Sequence, residues 1–281
     1  METSRPMPRD ALVAQTGTLL AAMREARPLV QMITNFVSMD IAANVLLAAG
    51  AAPAMVFAPE ESPEFVRRAS ALVVNTGTLS VAGAQAMEVA TTAARAHGVP
   101  WVLDPVGAGG TKFRNENICK LLRHRPTVIR GNASEIMAVA RLAGLTQEEG
   151  GPRGVDSTHE TSEVEGLAQK LARHGSCIVA ATGAVDVVTD GHALVRLANG
   201  SPLMTKVTAL GCALTGYVGA FIGLGGAPFE ATVSALAAYA VAGDLAVEQA
   251  SGPASFRTAF IDALYGLEER DISDRLRLRS Q

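Results

Sequence analysis

The sequence has little cysteine and no concentration of basic residues. Its 281 residues include three cysteines, Cys119, Cys177 and Cys212. Their odd number and wide spacing fit neither a disulfide framework nor a zinc site, and a reducing compartment such as the cytoplasm is expected. Acidic residues number 27 against 24 basic ones, which gives a net charge of −3. Without a basic stripe, the chain is not expected to bind nucleic acid.

Familiar phosphate-binding loops are absent as well. The chain contains no Gly-x4-Gly-Lys-Ser/Thr sequence, which excludes a Walker-type nucleotide site. The glycines at 107–110 follow Asp104-Pro105 and lack the third spaced glycine of a dinucleotide-binding fingerprint. Any phosphate site must therefore be built differently.

Uncharged stretches are present, but they lack the character of membrane spans. Residues 41–59, 69–87 and 207–229 carry no charge and are long enough to cross a bilayer. Gly, Pro, Asn or Thr interrupts each of them, and no Lys/Arg asymmetry flanks them. We therefore predict that they are buried elements of a large core and that the protein does not bind membranes. The N-terminus has no compact apolar run of the kind found in signal peptides.

Short β-rich segments alternate with helical ones, without a break in composition. We predict one domain over 1–281, with flexible tails at 1–8 and 268–281 and a surface loop at 146–161. The unbroken apolar strands favour an α/β three-layer sandwich, in which helices cover both faces of a mainly parallel sheet. Asp190-Gly191 predicts a hairpin between 185–189 and 193–197. The predicted strands are 29–33, 53–57, 71–75, 101–104, 127–130 and 177–181, and the predicted helices are 9–26, 38–49, 80–97, 115–124, 133–143 and 161–174, followed by a mostly helical region at 212–267.

Several residues with chemical potential follow these strands. Parallel strands end at the same edge of a sheet, which is where open α/β sheets bind ligands. The residues at or near such ends are Asn35, Met55, Gly77, Asp104, Arg130 and Thr182. We therefore expect them to surround one ligand site.

The turn before the uncharged segment at 207–229 predicts an anion site. Val207-Thr208-Ala209-Leu210-Gly211-Cys212 leads into a helical stretch, and the first N–H groups of a helix have no partner within the helix. Cys212 stands at this start, where the helix dipole is expected to lower the pKa of its thiol. The alternative is a tight turn before a buried helix that carries a core cysteine.

Two acids and one arginine could complete a phosphoryl-transfer site. Asp104 and Glu135 are candidate Mg²⁺ ligands, acting partly through water. The alternatives are a turn residue before Pro105 and an acid in the first turn of a helix. Arg130 ends an apolar strand and needs a partner, which could be an anionic ligand or Glu135.

Together these motifs resemble the hydroxyethylthiazole kinase family of the ribokinase-like superfamily, over residues 28–267. Many short motifs recur in the family's order. They are Ile33-Thr34-Asn35, Ala52-Pro53-Ala54-Met55, Asn75-Thr76-Gly77-Thr78-Leu79, Asp104-Pro105, Arg130-Gly131-Asn132-Ala133-Ser134-Glu135, Arg153-Gly154-Val155-Asp156, Gly211-Cys212 and Gly252-Pro253-Ala254-Ser255-Phe256.

The resemblance implies a ribokinase-like fold and ATP- and Mg²⁺-dependent phosphorylation of 4-methyl-5-(2-hydroxyethyl)thiazole. It also implies a homotrimer with the thiazole pocket at a subunit interface. The resemblance assigns Arg130, Asn132 and Thr182 to ATP binding, and Asp104 and Glu135 to the metal. It places Asn35, Met55, Gly77, Thr78 and Ala209 around the thiazole. The residues that it places at the reacting hydroxyl are Ala209, Gly211 and Cys212.

The chain departs from the family and superfamily patterns at two positions. Ala209 stands where the family usually has the first glycine of Thr-Gly-x-Gly-Cys. Alanine still offers its N–H to an anion, but it fits poorly if the turn needs a positive φ. Cys212 stands where the superfamily has an aspartate base, so either its thiolate accepts the proton or the thiol only positions the hydroxyl.

Three other functions compete with this interpretation. A kinase for a hydroxymethylpyrimidine is disfavoured by the Gly-Cys turn and by the Asn75-x-Gly77-Thr78 segment. An NAD(P)H-hydrate dehydratase would normally carry the aspartate that Cys212 replaces. A catalytically silent thiazole- or nucleotide-binding protein remains compatible with Ala209.

Overall fold

The structure, a computed structural model, describes residues 7–146 and 157–279. The strands in these ranges are β1 (Leu29–Ile33), β2 (Ala52–Ala54), β3 (Ala71–Asn75), β4 (Trp101–Asp104), β5 (Val128–Asn132), β6 (Ile178–Thr182), β7 (Asp186–Thr189) and β8 (Leu194–Leu197). The helices are α1 (Arg9–Ala26), α2 (Met39–Ala49), α3 (Ser62–Val66), α4 (Val81–His97), α5 (Lys112–Leu122), α6 (Ala133–Leu142), α7 (Ser157–Gly175), α8 (Leu210–Ile222), α9 (Pro228–Gln249), α10 (Pro253–Gly266) and α11 (Glu269–Arg275), with a 3-10 helix at Pro202–Lys206.

All of these strands belong to one sheet, with the order β2-β1-β3-β4-β5-β6-β7-β8. Strands β1 to β6 pair in parallel. The predicted hairpin around Asp190-Gly191 adds β7 and β8 antiparallel at one edge. The parallel arrangement brings the carboxyl ends of β1, β3, β4, β5 and β6 to the same side.

Apolar side chains alternate between the two faces of the sheet, and each face has its own core. Val73 and Val102 point to a core formed with α1, α2 and α8 to α11, whereas Leu72 and Leu103 point to a core formed with α4 to α7. Strands covered on both faces need apolar residues at every position, which explains their unbroken apolar runs. The predicted three-layer α/β architecture is confirmed.

Helix α9 lies in the first of these cores. It is long and apolar enough to cross a membrane, but 78% of its apolar window is buried inside the fold. An interior helix of a large core has this character, because packing covers it on all sides. Helix α8 forms most of the uncharged stretch at 207–229, and its residues 213–222 are all buried, which confirms the prediction for that stretch.

Local signals explain most of the helix boundaries, and a few predicted boundaries need correction. Thr111 caps α5 through its side chain, so this helix begins before the predicted residue 115. The strand predicted at 53–57 ends at Ala54, and α3 and the 3-10 helix were not predicted. Helix α7 begins at Ser157 rather than at 161, while residues 147–156 of the predicted loop lie outside the described residues.

The prediction of a flexible tail at 268–281 is wrong for most of that segment. Helix α11 buries Ile272, and Leu276 is also buried. Leu278 then forms a β-bridge with Leu197, at the free edge of β8. Apolar residues spaced among the charges anchor this segment, and the charges face outward. Residues 1–6 of the other predicted tail lie outside the described residues.

Candidate active site

The carboxyl ends of neighbouring strands place polar residues in a row. Asn75 ends β3 and lies in register with Asp104, the last residue of β4. Asn35 follows β1, which pairs with the other side of β3. All three side chains are at most 5% exposed. Sheet register therefore brings them together although they are distant in sequence.

A hydrogen-bonded chain links this row to the start of α8. The Asn35 side-chain amide donates to Asn75 Oδ1 at 3.0 Å and to Cys212 Sγ at 3.3 Å. The Asn75 amide in turn donates to Asp104 Oδ2 at 2.6 Å. Thr215, one turn after Gly211, donates to the same carboxylate oxygen at 2.7 Å.

Asp104 is a buried carboxyl group with one oxygen still available. Its Oδ2 has two donors, whereas Oδ1 has no hydrogen-bond partner among the described residues. Burial raises the pKa of Asp104 to about 6, although the nearby Arg130 charge and the Thr215 and Asn75 hydrogen bonds oppose this shift. A buried oxygen with no donor suits a cation or a water bound to one.

Arg130 lies beside the start of α8. Its guanidinium donates to Thr182 Oγ1 at 2.6 Å, and its Nε has no partner among the described residues. A Cβ on Gly211 would lie 3.1 Å from Arg130 Nη1, so glycine gives the guanidinium close access to the helix start. Within the described ranges, no ion pair joins Arg130 to Glu135. The Arg130 charge acts on the buried carboxyl groups of Asp104 and Asp186, and its Nε, unpartnered among the described residues, can still donate to an anionic ligand.

The prediction of a lowered pKa for Cys212 is wrong. Burial and the charge of Asp104 raise the pKa of the thiol above its ordinary value of 9.0, against the opposing Asn35 hydrogen bond and Arg130 charge. The position of Cys212 at the helix start therefore does not by itself make it a thiolate at neutral pH, because desolvation penalises the charged form.

Ala209 adopts the left-handed conformation, which normally favours glycine. It precedes α8 with φ 62° and ψ 12°, a region that an alanine enters only at some energetic cost. The Tyr239 hydroxyl holds the next residue by donating to the Leu210 carbonyl at 2.8 Å. This hydrogen bond fixes the start of α8 beside Arg130 although alanine replaces the first glycine.

Glu135 has the structural role predicted as its alternative, that of an acid in the first turn of a helix. One carboxylate oxygen accepts from the Gly107 N–H at 3.1 Å, and the other accepts from the Asn132 N–H at 2.9 Å. The Asn132 side chain accepts from the Glu135 N–H at 2.9 Å, which completes a capping box. Asn132 and Glu135 thus fix the start of α6 and tie it to the glycine loop after β4.

The turn after β3 is also tightly constrained. A Cβ on Gly77 would lie 2.8 Å from Asn35 Cβ, so no larger residue fits there. Thr78 has φ 41°, and its hydroxyl accepts from the Phe36 N–H at 3.2 Å. Because a β-branched residue rarely takes a positive φ, this turn holds strain beside the site.

Met55 lies apart from the other predicted residues. It follows β2, the edge strand, and its partly buried side chain packs against the core beneath α2 and α8. Strand β1 separates it from β3 in the sheet. The structure therefore places Met55, like Asn35, at the carboxyl ends of the strands, but outside the hydrogen-bonded network from Asn35 to Asp104.

Some residues at the site were missed as individual candidates. Asn75 was noted only as part of a motif, although it ends a strand as Asp104 does. Thr215 is four residues after Gly211, on the same helix face. The Asp186 carboxylate accepts a hydrogen bond from the Gly183 N–H at 2.9 Å. Burial raises the pKa of this carboxyl group to about 6. Strand-end position and helical spacing could have identified the first two.

Comparisons with known proteins agree with this geometry. A family model described as the hydroxyethylthiazole kinase family matches residues 20–270. The hydroxyethylthiazole kinase of Cereibacter sphaeroides (strain ATCC 17029) is 52% identical over 264 residues, which cover 94% of this chain and 98% of the relative. That of Rhizobium leguminosarum bv. trifolii is 53% identical over 265 residues, which cover 93% and 96%.

Solved structures give the same picture. The hydroxyethylthiazole kinase protein from Pyrococcus horikoshii OT3 superimposes with a TM-score of 0.86 at 39% identity, covering 94% of this chain and 98% of that one. The pyridoxal kinase from Staphylococcus aureus, solved with AMP-PCP and pyridoxal, has a TM-score of 0.55 at 16% identity, covering 77% and 87%. This second likeness concerns the fold alone, which is ribokinase-like as predicted.

Proposed function

This chain belongs to the hydroxyethylthiazole kinase family and is a kinase, and we propose from this premise that it transfers the γ-phosphoryl group of ATP to the primary hydroxyl of 4-methyl-5-(2-hydroxyethyl)thiazole in thiamine salvage. The observation that carries the proposal is the identity of 52% with a named hydroxyethylthiazole kinase over nearly the whole of both chains. The Gly211–Cys212 helix start beside Asp104 and Arg130 supplies a site of the matching chemistry.

The phosphates of ATP would lie between the start of α8 and Arg130. Phosphoryl transfer depends on positioning and on neutralising charge rather than on covalent chemistry by the protein. The free N–H groups at the start of α8 and the Arg130 guanidinium supply donors for the transferred group. Thr182 orients that guanidinium, and Asn132 shapes the neighbouring turn.

The residues present also fit a magnesium ion. The buried Asp104 Oδ1 lacks a hydrogen-bond donor among the described residues, and a hard oxygen is the ligand that Mg²⁺ prefers. We propose that Asp104 would hold the ion directly or through water and that Glu135, each of whose oxygens accepts one main-chain N–H group, would act through water. When bound, the ion would neutralise charge on the phosphates.

The thiazole hydroxyl would approach Cys212, with the ring held by the turn after β3. Asn35, Gly77 and Thr78 form this part of the pocket, and Ala209 borders the hydroxyl. Met55 would supply an apolar surface suited to a flat ring. Because Met55 lies apart from the network, its contact is best explained by a pocket shared between subunits.

Exposed apolar residues support a homotrimer with active sites at its interfaces. Phe36 is 69% exposed, Val37 58%, Phe57 44% and Val81 76%. They follow β1, β2 and β3 at the edge of the sheet where the proposed thiazole pocket lies. Apolar side chains grouped in this way commonly mark protein interfaces. We further propose that the chain works as a single kinase domain in the cytoplasm.

Turnover by the purified protein tests the proposal. ADP release should depend on both Mg²⁺ and hydroxyethylthiazole, and the product should be the thiazole monophosphate. A hydroxymethylpyrimidine serves as the matched alternative alcohol. Robust turnover of the pyrimidine without turnover of the thiazole would contradict the proposed substrate, and binding of both ligands without ADP release would indicate a silent binding protein.

A further inference from the structure

The hydrogen bonds beneath the site have directions that the structure determines. Asn35 Oδ1 accepts from the N–H groups of Val37 at 3.1 Å and Ser38 at 3.0 Å. Backbone N–H groups can only donate, so the side-chain atom that faces them is the oxygen. The Asn35 amide nitrogen consequently faces Cys212 Sγ and Asn75 Oδ1.

The orientation of Asn75 is determined in the same way. Its Oδ1 accepts from the Gly77 N–H at 2.9 Å and from the Asn35 amide at 3.0 Å. Its nitrogen therefore faces Asp104 Oδ2, at 2.6 Å. Both amides thus direct N–H groups toward the two groups with catalytic chemistry, the thiol and the carboxylate.

Asn75 is the residue common to both branches of this network. It is 0% exposed, so it has no surface with which to contact a substrate. Its amide donates a hydrogen bond to Asp104, and its Oδ1 accepts from the Asn35 amide, which also donates to Cys212. It also fixes the turn at Gly77. These contacts require a side chain that has a donor on one side and an acceptor on the other. An asparagine amide has this arrangement.

We propose that Asn75 is a positioning residue of this kinase, which sets the orientations of Asp104 and Cys212 relative to each other without touching the substrate. The inference rests on the proposed function, because it concerns the same site. Preorganised groups with fixed hydrogen bonds need no rearrangement during the reaction, so the loss of this orientation should appear in kcat.

The Asn75→Asp variant tests the proposal with the smallest change in shape. It keeps the oxygen that accepts from Asn35 and Gly77, but it replaces the amide donor to Asp104 with a second carboxyl oxygen, and two carboxyl groups this close share one proton. The loss of the neutral amide donor changes the charge and the orientation of Asp104 and should lower kcat by roughly 10–100-fold. Affinity for hydroxyethylthiazole, measured by calorimetry, should stay within about threefold, because the turn at Gly77 keeps its acceptor.

Asn117→Asp is the matched control. Asn117 is also nearly buried, at 8% exposed, and its amide donates to the Phe113 carbonyl within α5 at 2.7 Å. It lies outside the site, so its variant buries a carboxylate without disturbing Asp104 or Cys212. It should lower the melting temperature while leaving kcat unchanged.

Two further variants keep the test informative if Asn75→Asp does not fold. Asn75→Ser is smaller and cannot reach both neighbours, and it should show the same fall in kcat. Thr215→Val removes the other donor to Asp104 Oδ2 and leaves the Cys212 branch intact, so its kcat should fall less than that of the Asn75 variants.

The outcomes distinguish this proposal from the proposed function. An inactive wild-type protein would refute the function. An active wild type with an equally active, folded Asn75 variant would refute the positioning role. Parallel losses of kcat, thiazole affinity and melting temperature, with the same kcat loss in Asn117→Asp, would make Asn75 purely structural.

Discussion

Replacement of Cys212 gives the sharpest test of the chemistry at this site. The two N–H groups of the Asn35 amide donate to Asn75 Oδ1 and to Cys212 Sγ, so Cys212→Ala removes one acceptor and leaves the other hydrogen bond in place. Cys212 is only partly buried, and the loss of its sulfur and of this weak hydrogen bond should cost about 1–3 kcal/mol of unfolding free energy, which melting curves measure. A change in activity can therefore be interpreted as chemistry rather than as unfolding.

The raised pKa of the thiol determines the expected pH dependence. Its ordinary value is 9.0 and the site raises it, so at pH 7 no more than about one thiol in a hundred is ionised. If the thiolate is the base, kcat should rise about tenfold per pH unit from pH 7 toward 9. Cys212→Ala should then lower kcat by roughly 10²–10⁴-fold and abolish this slope.

Cys212→Asp supplies the complementary result. A carboxyl group ionises more readily than a thiol even with Asp104 beside it to raise its pKa, but the carboxylate is a weaker base than a thiolate, so these effects oppose each other. We expect kcat within about tenfold of the wild-type value, with a lower melting temperature because two carboxyl groups then share the site.

ADP-release assays from about pH 6.5 to 9.5 compare kcat of the wild type, Cys212→Ala and Cys212→Asp, and melting curves compare their stability. A flat wild-type profile with a small loss in Cys212→Ala would show that the thiol only positions the hydroxyl. Full activity of Cys212→Ala, beside an unstable and inactive Cys212→Asp, would refute the reasoning, because Cys212 would then be only a packing residue.

Three further substitutions test neighbouring parts of the site. Ala209→Gly should leave kcat unchanged or raise it. Glycine relieves about 1–2 kcal/mol of left-handed strain at φ 62°, whereas the more flexible unfolded chain costs about 0.4–1 kcal/mol of stability. A large fall in kcat of the folded variant would assign a packing role to the alanine methyl. Arg130→Ala should raise the KM for ATP about 10–100-fold, the equivalent of one lost charge-assisted bond, and should change the KM for the thiazole much less; an unchanged KM for ATP in steady-state kinetics would limit Arg130 to a structural role with Thr182. Met55→Asp should abolish thiazole binding in calorimetry and spare ATP binding, because the charge would lack a partner in an apolar pocket; tight thiazole binding by this variant would exclude Met55 from the pocket.

The sequence by itself determined the layers of the fold and the side of the sheet at which most of the candidate site residues lie. Unbroken apolar runs identify strands that are covered on both faces, and the alternation with helices predicts their parallel arrangement. The strand-end rule placed Asn35, Asp104 and Arg130 at one edge. The charged C-terminal segment was predicted wrongly, because Ile272 and Leu276 are too few to show a helical pattern before their packing surface is known.

Tertiary structure decided what the individual side chains at the site can do. The sequence shows Glu135 near a strand end, but only the fold brings the Gly107 N–H to its carboxylate, so that each oxygen accepts one main-chain N–H group. A helix start predicts a lowered thiol pKa, whereas burial beside Asp104 raises it. Desolvation and hydrogen-bond direction depend on what surrounds a group in three dimensions, and residues far apart in sequence supply those surroundings.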